Sequence, residues 1–128
     1  MRDLASNIAA VQAVAPAVLT ATTTSAAIDL ADFDAAAVII NTGAIVGAGN
    51  FTPKLQESDT TTSGDFSDVA AGDLNGAFPA ALAAASTYKV GYRGAKRYVR
   101  LVLTLISGTS IAAGAVIVKA HAAQLPVA

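Results

Sequence analysis

Tyr98-Val-Arg-Leu-Val-Leu-Thr-Leu-Ile106, Ser107-Gly-Thr-Ser110 and Ile111-Ala-Ala-Gly-Ala-Val-Ile-Val-Lys-Ala120 form the stretch that decides the fold. Its two long segments are rich in aliphatic and β-branched residues, and the four residues between them are turn formers. Leu101 to Val118 carries no charge and nearly reaches the length of a membrane span. The Ser-Gly-Thr-Ser centre and β-branched flanks indicate two buried strands instead, and no membrane segment is expected.

Working outward, Tyr88-Lys-Val90-Gly-Tyr92 alternates as a strand, and Arg93-Gly94-Ala95 is a turn. Phe51 to Ser58 alternates with Leu55 opposed to Lys54 and Gln56. It leads through a polar loop, Asp59 to Asp65, to a returning strand at Phe66 to Val69. Ala36 to Thr42 reads as a buried strand, and Gly43, Gly47, Gly49 and Asn50 break the chain between it and Phe51. Ile28-Asp29-Leu30 is a short strand, with a turn after it at Ala31 to Asp34. Near the start, Gln12 to Thr24 reads as an edge strand because it contains Pro16, although Leu4 to Val14 has room for a short helix. Residues 70–87 are a long connection with at most one helical turn around Ala80 to Ala85.

Short strands at this spacing, with turn chemistry between them, predict a mostly β chain: an antiparallel β-sandwich or a jelly-roll-like barrel with extended N- and C-terminal arms. One domain is expected over 1–128: an N-terminal arm or edge strand (1–25), a β core (26–121) and a C-terminal arm (122–128). The layout of Met1 to Leu19 faintly resembles a signal peptide, but Asp3, Gln12 and Pro16 break it.

The chain is 54% hydrophobic and only 13% charged, about half the usual charge of a globular domain. Either part of its surface is covered by partners, or exposed alanine inflates the figure. Residues 1–73 hold all nine acidic residues with Arg2 and Lys54, a net −7, while residues 74–128 hold six basic residues and no acidic one, a net +6. That split suits head-to-tail contact between copies or an acidic partner, unless the two halves interleave and the charges mix in space. The low-charge ends, 1–25 and 121–128, are expected to order against neighbouring chains.

Catalytic, cofactor and metal sites are not expected. There is no Cys, and the single His, His121, has no evident nucleophile or orienting partner. Asp29, Asp32 and Asp34, and Asp59, Asp65 and Asp68, read as turn residues that bond their own backbone. The second group lacks the EF-hand pattern for calcium. Gly43, Gly47 and Gly49 lack the ending of a phosphate loop. Lys89, Arg93, Lys96, Arg97 and Arg100, interleaved with Tyr88, Tyr92 and Tyr98, have the residue types of a single-strand nucleic-acid surface. With no overall basic excess, they read better as a protein-docking patch for an acidic surface.

The stretch Tyr88 to Arg100, with Leu55 to Asp59 and Phe66 to Val69, resembles small virion proteins of tailed bacteriophages and prophages, over about Ile28 to His121. The resemblance implies a capsid decoration, or cement, protein on the outside of the head. Its partners would be the major capsid protein and further copies of itself, for instance as a trimer, and it would be made in the bacterial host cytoplasm. A head–tail joining or tail protein, and a surface-displayed glycan-binding module, are the alternatives. Neither a membrane nor nucleic acid is expected as a partner.

Overall fold

The computed structural model describes residues 5–31 and 33–122. Among these described residues ten strands run in chain order: β1 (Ile8–Leu19), β2 (Thr23–Thr24), β3 (Ile28–Asp29), β4 (Phe33–Val46), β5 (Asn50–Ser58), β6 (Ser67–Asp68), β7 (Leu74–Asn75), β8 (Thr87–Tyr92), β9 (Tyr98–Ser107) and β10 (Ser110–Ala122). They form two open antiparallel sheets. The first runs β1-β10-β4-β8-β7 and the second β2-β9-β5-β6, with β3 beside β9 on the same edge as β2. The architecture is therefore the sandwich, and no closed barrel forms.

Alternation along the strands puts one face of each inside. From the first sheet, Val38, Ile40, Ile111 and Ile117 are fully covered; from the second, Phe51, Leu55, Val99, Leu101 and Leu103 meet them. The Ser107–Ser110 turn does not close a hairpin within one sheet: β9 lies in the second sheet and β10 in the first. The chain makes this corner with Gly108 at positive φ (83°), where an added Cβ would strike the Ala48 carbonyl. The neighbouring β4–β5 turn is tied to it by the Thr109 N–H to the Gly47 carbonyl (3.2 Å).

Other departures from the sequence reading have local causes. The helix allowed over Leu4–Val14 shrinks to one 3-10 turn, Ala5–Asn7, because Ile8 to Leu19 pairs along β10 as an edge strand. Two register shifts between Gln12 and Ala17 accommodate Pro16. Pro53 lies on β5 beyond the short β6, which pairs only Gln56 and Glu57, so its missing N–H faces an open edge. No helical turn forms around Ala80–Ala85. Instead that segment bonds outward to the sandwich, through Leu82 N–H to the Phe51 carbonyl (3.0 Å) and Ala85 N–H to the Gly43 carbonyl (2.9 Å). The buried Thr42 hydroxyl donates to the Ala83 carbonyl (2.6 Å) and accepts the Ser86 N–H (2.9 Å). The expected arm at 122–128 and the His121 side chain lie outside the described residues, apart from Ala122, whose backbone ends β10. Residues 1–4 of the expected N-terminal arm and Asp32 of the Ala31–Asp34 turn lie outside them too.

Phe51 has no exposure and lies between the sheets. Phe51→Ala is expected to cost about 3–5 kcal/mol of stability, from lost burial and the cavity left behind. Urea unfolding of the two proteins measures it.

Candidate docking surface

The five cations and three tyrosines of the basic stretch are divided by the fold rather than gathered. β8 belongs to the first sheet and β9 to the second, so residues 93–97 cross from one to the other. Tyr92 sits at that crossing. It is buried, and its hydroxyl donates to Glu57 Oε1 on β5 (2.7 Å) and accepts the Lys96 N–H (3.2 Å). A Cβ at Gly94 would collide with the Tyr92 phenol, so only glycine lets the chain fold back over the ring. Burial, reinforced by the Glu57 carboxylate, pushes the Tyr92 hydroxyl well above its ordinary pKa.

Most of the cations are already engaged. Arg97 clamps Asp29 through two hydrogen bonds of 2.9 Å, and its guanidinium lies 5.1 Å from the centre of the Tyr98 ring. Lys96 pairs with Asp59 at 2.9 Å. Arg100 donates to Gln56 Oε1 (2.7 Å) and stacks 4.3 Å over Phe66, on the outer face of the second sheet. Arg93 donates to the Leu74 carbonyl (3.2 Å). Lys89 is exposed on the outer face of the first sheet, opposite Ile39, with no acidic partner among the described residues. Tyr88 is half-buried and its hydroxyl accepts the Ala83 N–H (2.8 Å). The Tyr92 ring, being buried, is not free to stack on a sugar.

Two of these pairs, Lys96–Asp59 and Arg97–Asp29, join the basic and acidic halves of the chain. The charges therefore mix in space at one end of the sandwich. Among the described residues no group of three or more His, Asp or Glu is placed to hold a metal ion. Among the same residues, no helix is long and apolar enough to cross a membrane.

The larger feature is the charge-free remainder. Residues 5–28, 35–53 and 101–118 contain no Asp, Glu, Lys or Arg. Of these, residues 8–19, 35–46 and 110–118 pair as β1, β4 and β10 into one sheet, and the uncharged 47–49 and 107–110 turns lie together at one end of the sandwich. Val18, Val46 and Ile106, exposed by 65%, 57% and 59%, stand there. A groove of about 650 Å3 crosses this face between the bulge of β1 and β4. Sequence reasoning looked for cations and passed over this surface, although three uncharged runs were visible as the signal. By contrast, the outer face of the second sheet is polar, with Lys54, Gln56, Asp68 and Arg100 linked to one another.

No family of known proteins matches the chain, and no curated protein matches it. Among solved structures it is similar to the SPBc2 prophage-derived protein YomS, with a TM-score of 0.54 and 12% identity over 89% of this chain and 94% of that one. A protein of the Bacillus endospore appendages, described as disulfide-linked pili, is matched at a TM-score of 0.46 and 10% identity, over 89% of this chain and 88% of that one. A chain of infectious bursal disease virus, Gx strain, is matched at 0.45 and 12% identity, over 93% of this chain and 33% of that one. The first of these likenesses is one of fold and spans nearly the whole of both chains.

Two outcomes test the crossing. Tyr92→Phe strips a partner from Glu57 and from the Lys96 N–H and is expected to cost about 1–3 kcal/mol in urea unfolding. The Arg97 clamp, with the Ala31 N–H, lowers the Asp29 carboxyl from 3.8 to about 2. A depressed carboxylate contributes stability above its unfolded value, and that contribution is lost as pH falls from about 4 towards 2. Thermal melts across this window should show a shallower acid loss for Arg97→Gln, and added salt should weaken the wild-type effect because the pair is exposed.

Proposed function

We propose that this chain is a structural virion protein of a tailed phage or prophage, a decoration or cement protein that binds the outside of the head and stabilises it. The observation that carries the proposal is the segregation of its surface: a charge-free half bearing exposed Val18, Val46 and Ile106, against an opposite end that holds the ion pairs. Monomeric soluble proteins rarely leave a contiguous apolar surface bare, and such surfaces mark association. The resemblance of residues 88–100 to phage virion proteins and the fold shared with a prophage-derived protein support a phage particle as the setting of that association. Fold likeness alone does not imply function, so the surface bears the weight of the proposal.

In this reading the charged end meets an acidic surface of the major capsid protein. Lys89 and Arg93 make the first contact. Lys96 sits in a single exposed pair of the weak kind, so a partner carboxylate can exchange with Asp59 at little cost. No chemistry is required of the protein beyond this binding.

The test is co-sedimentation of the purified chain with phage heads that lack it, and then a count of bound copies per particle. Hundreds of copies are expected, and Lys89→Glu with Arg93→Glu should lower occupancy at limiting protein by about ten-fold, the effect of roughly 1.4 kcal/mol. A handful of copies at one vertex would assign the chain to the head–tail junction or tail instead. No binding to any virion part overturns the proposal.

A further inference from the structure

The outer face of the first sheet carries a hollow and a ridge side by side. The hollow is the 650 Å3 groove, floored by Ala112 and Gly114 of β10 and walled by Ile39 and Asn41 of β4. Glycines let its neighbours pack closely. An added Cβ at Gly114 would come to 3.0 Å from Pro16, and one at Gly43 to 3.3 Å from the Ala112 methyl. The ridge is the bulged part of β1, where Pro16, Ala17 and Val18 stand exposed. The geometry points to a second copy of this chain as the occupant, docked about a two-fold axis so that the Val18 ridge of each copy enters the groove of the other. This inference deepens the assembly reading above by naming one partner and the face it uses.

Two observations select that occupant. A two-fold axis sets a patch against itself, so any charge near the axis meets its own sign. The outer face of β1, β10 and β4 carries no charge from Ile8 to Leu19, from Ala35 to Val46, or from Ser110 to Val118, and is suited to meeting itself. Lys89, opposite Ile39, marks its border. Finally, the alternative of adding strand to strand is blocked. The free edge of β1 is interrupted by Pro16 and by the two register shifts around Val14, devices that prevent edge-to-edge pairing. The face is left for association, and the edge is not.

Sedimentation equilibrium of the full chain tests this at about 100 µM, where a micromolar dissociation constant leaves little monomer. The mass should be twice 12.7 kDa. Val18→Asp changes a side chain that is mostly in solvent, and Asn41→Asp places a charge at an exposed, near-isosteric position on the groove wall. Each should raise the dissociation constant ten-fold or more with an unchanged circular dichroism spectrum, while Lys54→Gln, on the outer face of the other sheet, should not. A wild-type mass of one or three chains, or both acidic variants pairing as tightly as wild type, overturns the inference. The two proposals fail separately. A single-chain species that still covers phage heads sinks the pairing alone, and a dimer that binds no virion part sinks the virion role alone.

Discussion

Leu101 and Leu103 on β9, and Ile111 and Ile117 on β10, all have no exposure, yet two residues are all that separate the strands that carry them. Had the strands formed a simple hairpin, their apolar faces would lie side by side in one sheet and need a second layer to cover them. The chain instead turns a corner at Gly108 and sends them to opposite sheets, where the faces close on each other across the core. The rest of the sandwich completes this arrangement. β4 and β1 flank β10, and β5 with the short β2 and β3 flanks β9. Where β2 and β3 leave a break beside β9, the buried Ser25 fills it, its N–H bonding the Leu101 carbonyl and its hydroxyl accepting the Leu101 N–H, both at 2.9 Å.

A second crossing, at residues 93–97, arises from the same requirement and has a different solution. There the chain passes between sheets over the phenol of Tyr92, which reaches Glu57 on the facing sheet. Arg97 and Lys96 leave this crossing and find Asp29 and Asp59, which sit at the ends of β3 and β5. Lys119, at the same end of β10, adds a hydrogen bond to the Asp29 carbonyl (3.1 Å) and lies 4.7 Å over the Phe33 ring. Opposed charges from the two halves of the chain thus meet at one end of the sandwich.

The other end is left with backbone turns and small or apolar side chains. A domain with charge at one end and none at the other has two chemically different surfaces to offer. One is suited to a polar acidic neighbour and the other to an apolar one. The shared fold with a prophage-derived protein shows that the sandwich spans nearly the whole chain, while the partners are argued from these surfaces.

Composition and periodicity by themselves determined the β class, the long strands at 36–42, 51–58, 88–92, 98–106 and 111–120, and the hairpin through the 59–65 loop, because strand alternation and turn chemistry are local properties. They also showed the uncharged runs and the −7/+6 split. Which strands share a sheet was decided only by the tertiary structure, since the same Ser-Gly-Thr-Ser turn serves a hairpin or a corner. So was the fate of the basic stretch: spacing made Lys89 to Arg100 look like one patch, and the crossing at Gly94 dispersed it over two sheets and into ion pairs with Asp29 and Asp59. The apolar surface needed tertiary structure most. The uncharged strands at 8–19, 35–46 and 110–118 are far apart in the chain, and only antiparallel pairing of β1, β10 and β4 makes them into one face.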